Sequence, residues 1–100
     1  DVIEARAIET IYGSSARVSG LKSYTGHTMA SCGVIETILT LYMMEKGFIA
    51  PTLHLENIDP RCKGISHVRQ LTESPVRIAS VQNFAFGGVN TSLVLRAFSP

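Results

Sequence analysis

Apolar residues recur through the opening stretch DVIEARAIETIY so that Ala5, Ile8, Ile11 and Tyr12 share one helical face. Asp1 and Glu4 fall in the first turn, where carboxylates meet the positive end of the helix dipole, and Gly13 stands where a left-handed cap is cheap. Val18 and Ser19 then predict a very short strand that stops at Gly20. From Thr28 to Met44 the pattern changes. Cys32, Val34, Ile35, Ile38, Leu41 and Tyr42, among others, put apolar groups all round a helix whose one formal charge is Glu36. A helix apolar on every side is buried on every side, which in so short a chain predicts more protein packed around it. Thr25 or Ser23 is the expected cap at its start, and Glu45, Lys46 and Gly47 close it.

Beyond Pro51, LHLENI alternates with a period of two and predicts an exposed or edge strand, followed by a loop through Asp59-Pro60 and Gly64. RIASVQNF and NTSLVLRAF are β-rich runs joined by AFGGV, whose paired glycines suit a tight connection, so the last quarter predicts a β-hairpin. The expected order is helix, short strand, buried helix, strand and strand pair: a mixed α/β layer forming one unit over residues 1–100. The chain opens at Asp1 without an initiator methionine and reads as a fragment. A domain of this length buries only about two-thirds of its unfolded surface, so neighbouring chain would steady it.

The net charge of +1 gives no reason to invoke nucleic acid or an anionic membrane. No apolar run reaches the roughly 18–20 residues a bilayer span needs, and no secretory leader opens the chain. A reduced, cytoplasmic setting is therefore expected for Cys32 and Cys62, with a disulfide between them left open. His27, His54 and His67 are too scattered to indicate a metal site.

Candidate chemistry concentrates in LKSYTGHTMASCG. Lys22 and His27, delivered together at the mouth of a buried helix, provide a cation and an imidazole to one pocket. The helix N-terminus adds positive potential that favours an oxyanion and disfavours imidazolium. The same pair reads equally well as a helix cap and a solvated lysine. Glu36, inside an apolar helix, must be paired, protonated or bound to an ion. Glu4 is a candidate partner for Lys22, although an ordinary first-turn acid explains it as well. In FAFGG, glycine torsions can turn a backbone amide inward as half of an oxyanion hole, and a bulky ring there can gate an apolar tunnel; from these residues alone a plain hairpin turn with two core aromatics is the favoured reading. Cys32 is rejected as a nucleophile because no base lies within obvious reach, and Cys62, between Arg61 and Lys63, is incidental.

Three ordered motifs carry a resemblance to the β-ketoacyl-acyl carrier protein synthases, above all the elongating enzymes of fatty-acid synthesis: DxxExxAIxxxYG from Asp1 to Gly13, KSxTGHxxxxxGxxE from Lys22 to Glu36, and FxFGGxN from Phe84 to Asn90. GFIAPTLHLENID resembles the family's connection after the buried helix. The resemblance implies a thiolase-like α/β fold, with this chain as the closing part of the second of two similar halves: a buried helix plus a mixed sheet with a terminal strand pair. It implies decarboxylative condensation of malonyl-acyl carrier protein with an acyl thioester held on a cysteine. That cysteine and a first histidine are expected upstream of Asp1, so this chain alone is expected to be inactive. His27 matches the second histidine, which stabilises the enolate. Lys22 matches an electrostatic lysine paired with Glu4, with Asp1 in the same supporting network. Glu36 matches a buried glutamate that in some members adjoins a structural monovalent cation; no other cofactor or metal is implied. Phe86 matches the gate and oxyanion-hole amide, and Phe84, Gly87 and Gly88 line the substrate pocket. Ala85 stands where the family usually has glycine, and Gln82-Asn83 replace Asn-Ser, which puts the cation in doubt. Implied partners are an acyl carrier protein, met by Arg61, Lys63 and Arg69, the remainder of the enzyme, and a second copy in a homodimer. A ketosynthase of a polyketide or aryl-polyene pathway shares these motifs; a non-catalytic chain-length partner is the other alternative, and the presence of both Lys22 and His27 argues against it. Thiolase is disfavoured because FAFGG offers no cysteine base.

Overall fold

The computed structural model describes residues 1–98. Helix α1 spans Val2–Tyr12, and its Ala5 and Ile8 pack with Ile65 into a small core flanked by Val18 and Cys62. Ile11 and Tyr12, predicted on the same face, are exposed instead. The neighbour of α1 is the short 3-10 helix Pro60–Cys62, which is too small to cover the last turn. Gly13 does have a positive φ of 66°, but with ψ at −148° it turns the chain outward rather than into a left-handed helical cap.

Strand β1, Arg17–Val18, begins one residue earlier than predicted and pairs in parallel with β3, Ser66–His67. The Ser19 hydroxyl leaves the strand to donate to the Ala50 carbonyl at 2.6 Å. A single helical turn, α2, follows over Lys22–Thr25. A 3-10 turn over Met29–Ser31 then leads into α3, Cys32–Lys46. Neither Ser23 nor Thr25 caps α3. Ser23 donates to the Gly20 carbonyl and accepts from Leu53 N–H, while Thr25 donates to the Gly26 carbonyl. These hydroxyls shape α2, and α3 starts later than the pattern predicts.

Helix α3 ends at Gly47, whose φ of 74° and ψ of 43° are left-handed and whose N–H reaches the Met43 carbonyl at 2.8 Å. Strand β2, Phe48–Ile49, then runs antiparallel to β4, Thr72–Glu73. One face of α3 lies against the strand Ile78–Phe84, where Val81 is buried. Val34, Ile38, Leu41 and Tyr42 remain exposed, at 62%, 59%, 49% and 53% respectively. Their positions describe one helical stripe. The prediction of a helix buried all round is therefore not met within the described residues: of α3, only Cys32 is buried.

LHLENI is not a strand. His54 adopts a positive φ of 63°, and the carbonyls of Leu55 and Glu56 accept from the Arg69 guanidinium rather than from a ladder. A strand spends its carbonyls on a neighbouring strand, so this use of them removes the alternative. The hairpin meets expectation: β5, Ile78–Phe84, and β6, Asn90–Arg96, pair antiparallel from Ile78↔Arg96 to Phe84↔Asn90. Its connection is closed by Ala85 N–H to the Val89 carbonyl, with Gly87 and Gly88 at φ of 82° and 81°.

Gly47→Ala is expected to cost about 1–2 kcal/mol, because the new Cβ must occupy a left-handed conformation. Gly20→Ala, whose Cβ would sit 3.9 Å from Thr52 with no such torsion, is the control and is expected to stay within about 0.5 kcal/mol. Urea denaturation of the two variants side by side measures the difference.

Candidate active site

Lys22 stands at the start of α2 and Glu36 one turn into α3. The lysine ammonium donates to the glutamate Oε1 at 2.6 Å. The carboxylate side is the better protected, with 14% of the Glu36 side chain exposed against 44% for Lys22. The hydrogen bond to Glu36 is the main cause that raises the lysine above its ordinary value, opposed by partial desolvation and helped by the charges of Glu36, Cys32 and Glu4. The predicted Glu4–Lys22 pair is thus corrected. Glu4 acts on Lys22 only through space, and the close partner is Glu36. Asp1 caps α1 without a side-chain hydrogen bond.

Three hydrogen bonds strap α2 to the segment after β2. Gly20 N–H donates to Thr52 Oγ1 at 2.8 Å, Leu53 N–H to Ser23 Oγ at 2.9 Å, and the Tyr24 hydroxyl to the Pro51 carbonyl. Nothing in the residue pattern announced these contacts, which hold Lys22 toward Glu36.

His27 follows α2 in the loop before the 3-10 turn, and its Nδ1 accepts Met29 N–H at 3.0 Å. A backbone amide can only donate, so Nδ1 presents its lone pair and the neutral ring carries its proton on Nε2. The side chain that the sequence reads as an oxyanion partner is therefore poised as a donor. Met29 holds a positive φ of 57°, an uncommon backbone state for a residue with a Cβ that persists only where its surroundings enforce it. Cys32, expected to have no base in reach, has its Sγ 3.5 Å from His27 Nδ1 and accepts the Thr28 hydroxyl at 3.4 Å. The 3-10 turn folds the intervening residues tightly enough to bring them together. Both cysteines are free thiols.

Phe84 ends β5 and is half-exposed, whereas Phe86 projects from the hairpin apex at 104% exposure. The predicted pocket shared by Lys22 and His27 under a Phe86 roof is not closed by the described residues. One concavity of about 620 Å³ lies between α3 and the hairpin, lined by Gly33, Thr37, Ile38, Val81, Asn83 and Leu93. Another, of about 660 Å³, borders β1 and β3 near Arg17, His67 and Arg69. Neither is lined by Lys22, His27 or Phe86, because the loop apex has no opposing surface to rest on.

Among the described residues no three His, Cys, Asp or Glu side chains converge as a metal-binding group. Glu36 Oε1 is taken by the Lys22 ammonium at 2.6 Å. Within the described residues, no helix is long and apolar enough to cross a membrane. Of the basic cluster, Arg61 makes a bidentate contact with Asp59, lowering that carboxyl to about 2, chiefly through the side-chain hydrogen bond. Arg69 is engaged by the Leu55 and Glu56 carbonyls.

A family model described as "Beta-ketoacyl synthase, C-terminal domain" matches residues 1–56. The chain belongs to the β-ketoacyl synthase family. It is 38% identical over 97 residues to 3-oxoacyl-[acyl-carrier-protein] synthase 1 of Escherichia coli (strain K12), covering 96% of this chain and 24% of that protein. The crystal structure of a β-ketoacyl synthase from Burkholderia phymatum STM815 superposes with a TM-score of 0.95 at 39% identity, over 99% of this chain and 24% of that one. A type II polyketide acyl-carrier protein in complex with its ketosynthase bound to the hexaketide gives a TM-score of 0.89 at 28% identity, covering 96% and 24%. The fold is accordingly the thiolase-like α/β fold of β-ketoacyl synthases, and the chain spans about a quarter of the length of these relatives. The structural likeness extends through the hairpin, well beyond the residues matched by the family model.

Because the folded-state value of Lys22 is raised, the stabilisation from its pair with Glu36 is complete below the ordinary lysine value and fades as pH climbs through the higher one. The stability advantage of this synthase chain over its Glu36→Gln variant is therefore expected to hold steady between neutral pH and 10.5 and to shrink above it, as read by urea denaturation across an alkaline series.

Proposed function

We propose that this chain supplies the C-terminal part of the catalytic centre of a β-ketoacyl-acyl carrier protein synthase that elongates fatty acyl chains. The reaction breaks the carbon–carbon bond to the malonyl carboxylate, releasing CO2 and leaving the electron pair in an enolate. The enolate carbon then attacks an acyl thioester, and the thiolate departs as the new bond forms. His27 donates from Nε2–H to the oxygen on which the enolate charge gathers. Lys22, paired to Glu36, sets the local potential and fixes the loop that carries His27. The Phe86 amide completes the oxyanion hole for the acyl thioester, and its ring gates the acyl tunnel, with Phe84, Gly87 and Gly88 beside it. Nucleophile and first histidine come from the rest of the synthase, whose packing on the Val34–Ile38–Leu41 stripe also closes the pocket beneath Phe86. The chain by itself is inactive in this reading.

The observation that carries the proposal is the Met29 N–H on His27 Nδ1, since it leaves the imidazole neutral and donating at Nε2, the state the reaction needs. The likeness to a 3-oxoacyl-[acyl-carrier-protein] synthase supports the fatty-acid pathway. The complex of a ketosynthase with its acyl carrier protein supports a carrier-protein partner and keeps a polyketide pathway as the second reading. On this chain Lys63 is the better candidate to meet an acidic carrier, since Arg61 is already neutralised by Asp59. The working enzyme is a homodimer in this reading.

In the complete synthase, His27→Ala is expected to lower malonyl decarboxylation by about a hundredfold or more while acyl transfer to the nucleophile stays measurable. Decarboxylation at the parent rate would refute the role. Phe86→Ala is expected to change the ratio of rates between short and long acyl carrier protein substrates; an unaltered ratio counts against gating.

A further inference from the structure

We propose that Cys32 is a positioning residue that holds His27 in its Nε2–H tautomer, an inference that rests on the reading of His27 as the donor to the reacting oxygen. The thiol sulfur lies 3.5 Å from His27 Nδ1 and is itself hydrogen-bonded by the Thr28 hydroxyl at 3.4 Å. The tautomer decides the direction of the contact. Met29 N–H already points at Nδ1, so that nitrogen carries no proton, and the S–H shares its one lone pair with the amide in a longer contact. Because the Thr28 hydroxyl donates to the sulfur, the thiol hydrogen is left free to turn toward the ring. Cys32 is 5% exposed, which shields this weak donor from water that would otherwise replace it.

Two donors thus converge on one imidazole nitrogen. Moving the ring proton to Nδ1 would aim it at an amide that cannot reverse and would cost the thiol contact as well. The amide establishes the preference, and the thiol strengthens it. The residue needs no nucleophilic role of its own, in keeping with its burial.

The test uses the complete synthase with 15N-labelled histidine and long-range 1H–15N spectra, in which protonated and unprotonated ring nitrogens have distinct shifts. Cys32→Ala is expected to give His27 a detectable Nδ1–H population and to reduce kcat for malonyl decarboxylation about two- to fivefold with KM little changed, as befits one weak hydrogen bond. Cys32→Ser, which keeps a donor at the same place, is expected to restore both. Identical His27 spectra in the parent and Cys32→Ala overturn the proposal, as does an equal shift in the Ala and Ser variants. Should Cys32→Ala fail to fold, Thr28→Val carries the test by releasing the thiol, and an unchanged His27 spectrum there overturns it too. The role of His27 fails separately: if His27→Ala decarboxylates normally while the tautomer still tracks residue 32, that role falls and the positioning stands.

Discussion

The hydrogen-bonded ion pair between Lys22 and Glu36 organises the candidate site. It joins a single helical turn, too short to persist alone, to the first turns of a long helix, and so closes the loop that contains His27. The carboxylate is largely withdrawn from solvent, so an uncompensated charge there would be costly, whereas the lysine keeps much of its hydration. The arrangement therefore specifies geometry more than it adds stability. On the other side of α2, the contacts from Thr52, Leu53 and Pro51 keep the turn from rolling away, and together they leave the Gly26–Ser31 segment little freedom.

Within that closed loop the backbone is used as a reagent. Met29, at a positive φ, places its amide on the imidazole of His27, and Nδ1 thereby accepts while Nε2 carries the ring proton. A carboxylate at Nδ1 would favour a base, whereas an amide there favours a hydrogen-bond donor at Nε2. Cys32 and Thr28 extend the same logic outward through side chains.

The apolar stripe of α3 and the unsupported Phe86 express a different constraint. Helix α3 is only partly covered by β5: among its residues only Cys32 is buried, while Val34, Ile38, Leu41 and Tyr42 form an exposed apolar stripe. The chain spans about a quarter of the length of the relatives it matches, and neither described concavity is lined by Lys22, His27 or Phe86.

Periodicity alone determined α1, α3 and the terminal hairpin, because each is long enough for a repeat of apolar positions or a pair of β-rich runs to outweigh local alternatives. The three motifs likewise pointed to the family and to Lys22, His27, Glu36 and Phe86 before any contact was visible. Tertiary structure decided what short segments do. LHLENI alternates like a strand, but Arg69 takes its carbonyls, and Val18 pairs with a strand nearly fifty residues away that no local pattern marks. It also decided partners: Lys22 chose Glu36 over Glu4, and Cys32 met His27, since hydrogen bonds depend on how turns fold back through space. Sequence spacing fixes which groups a helix or loop can offer, but only the packing of separate elements fixes which of them meet.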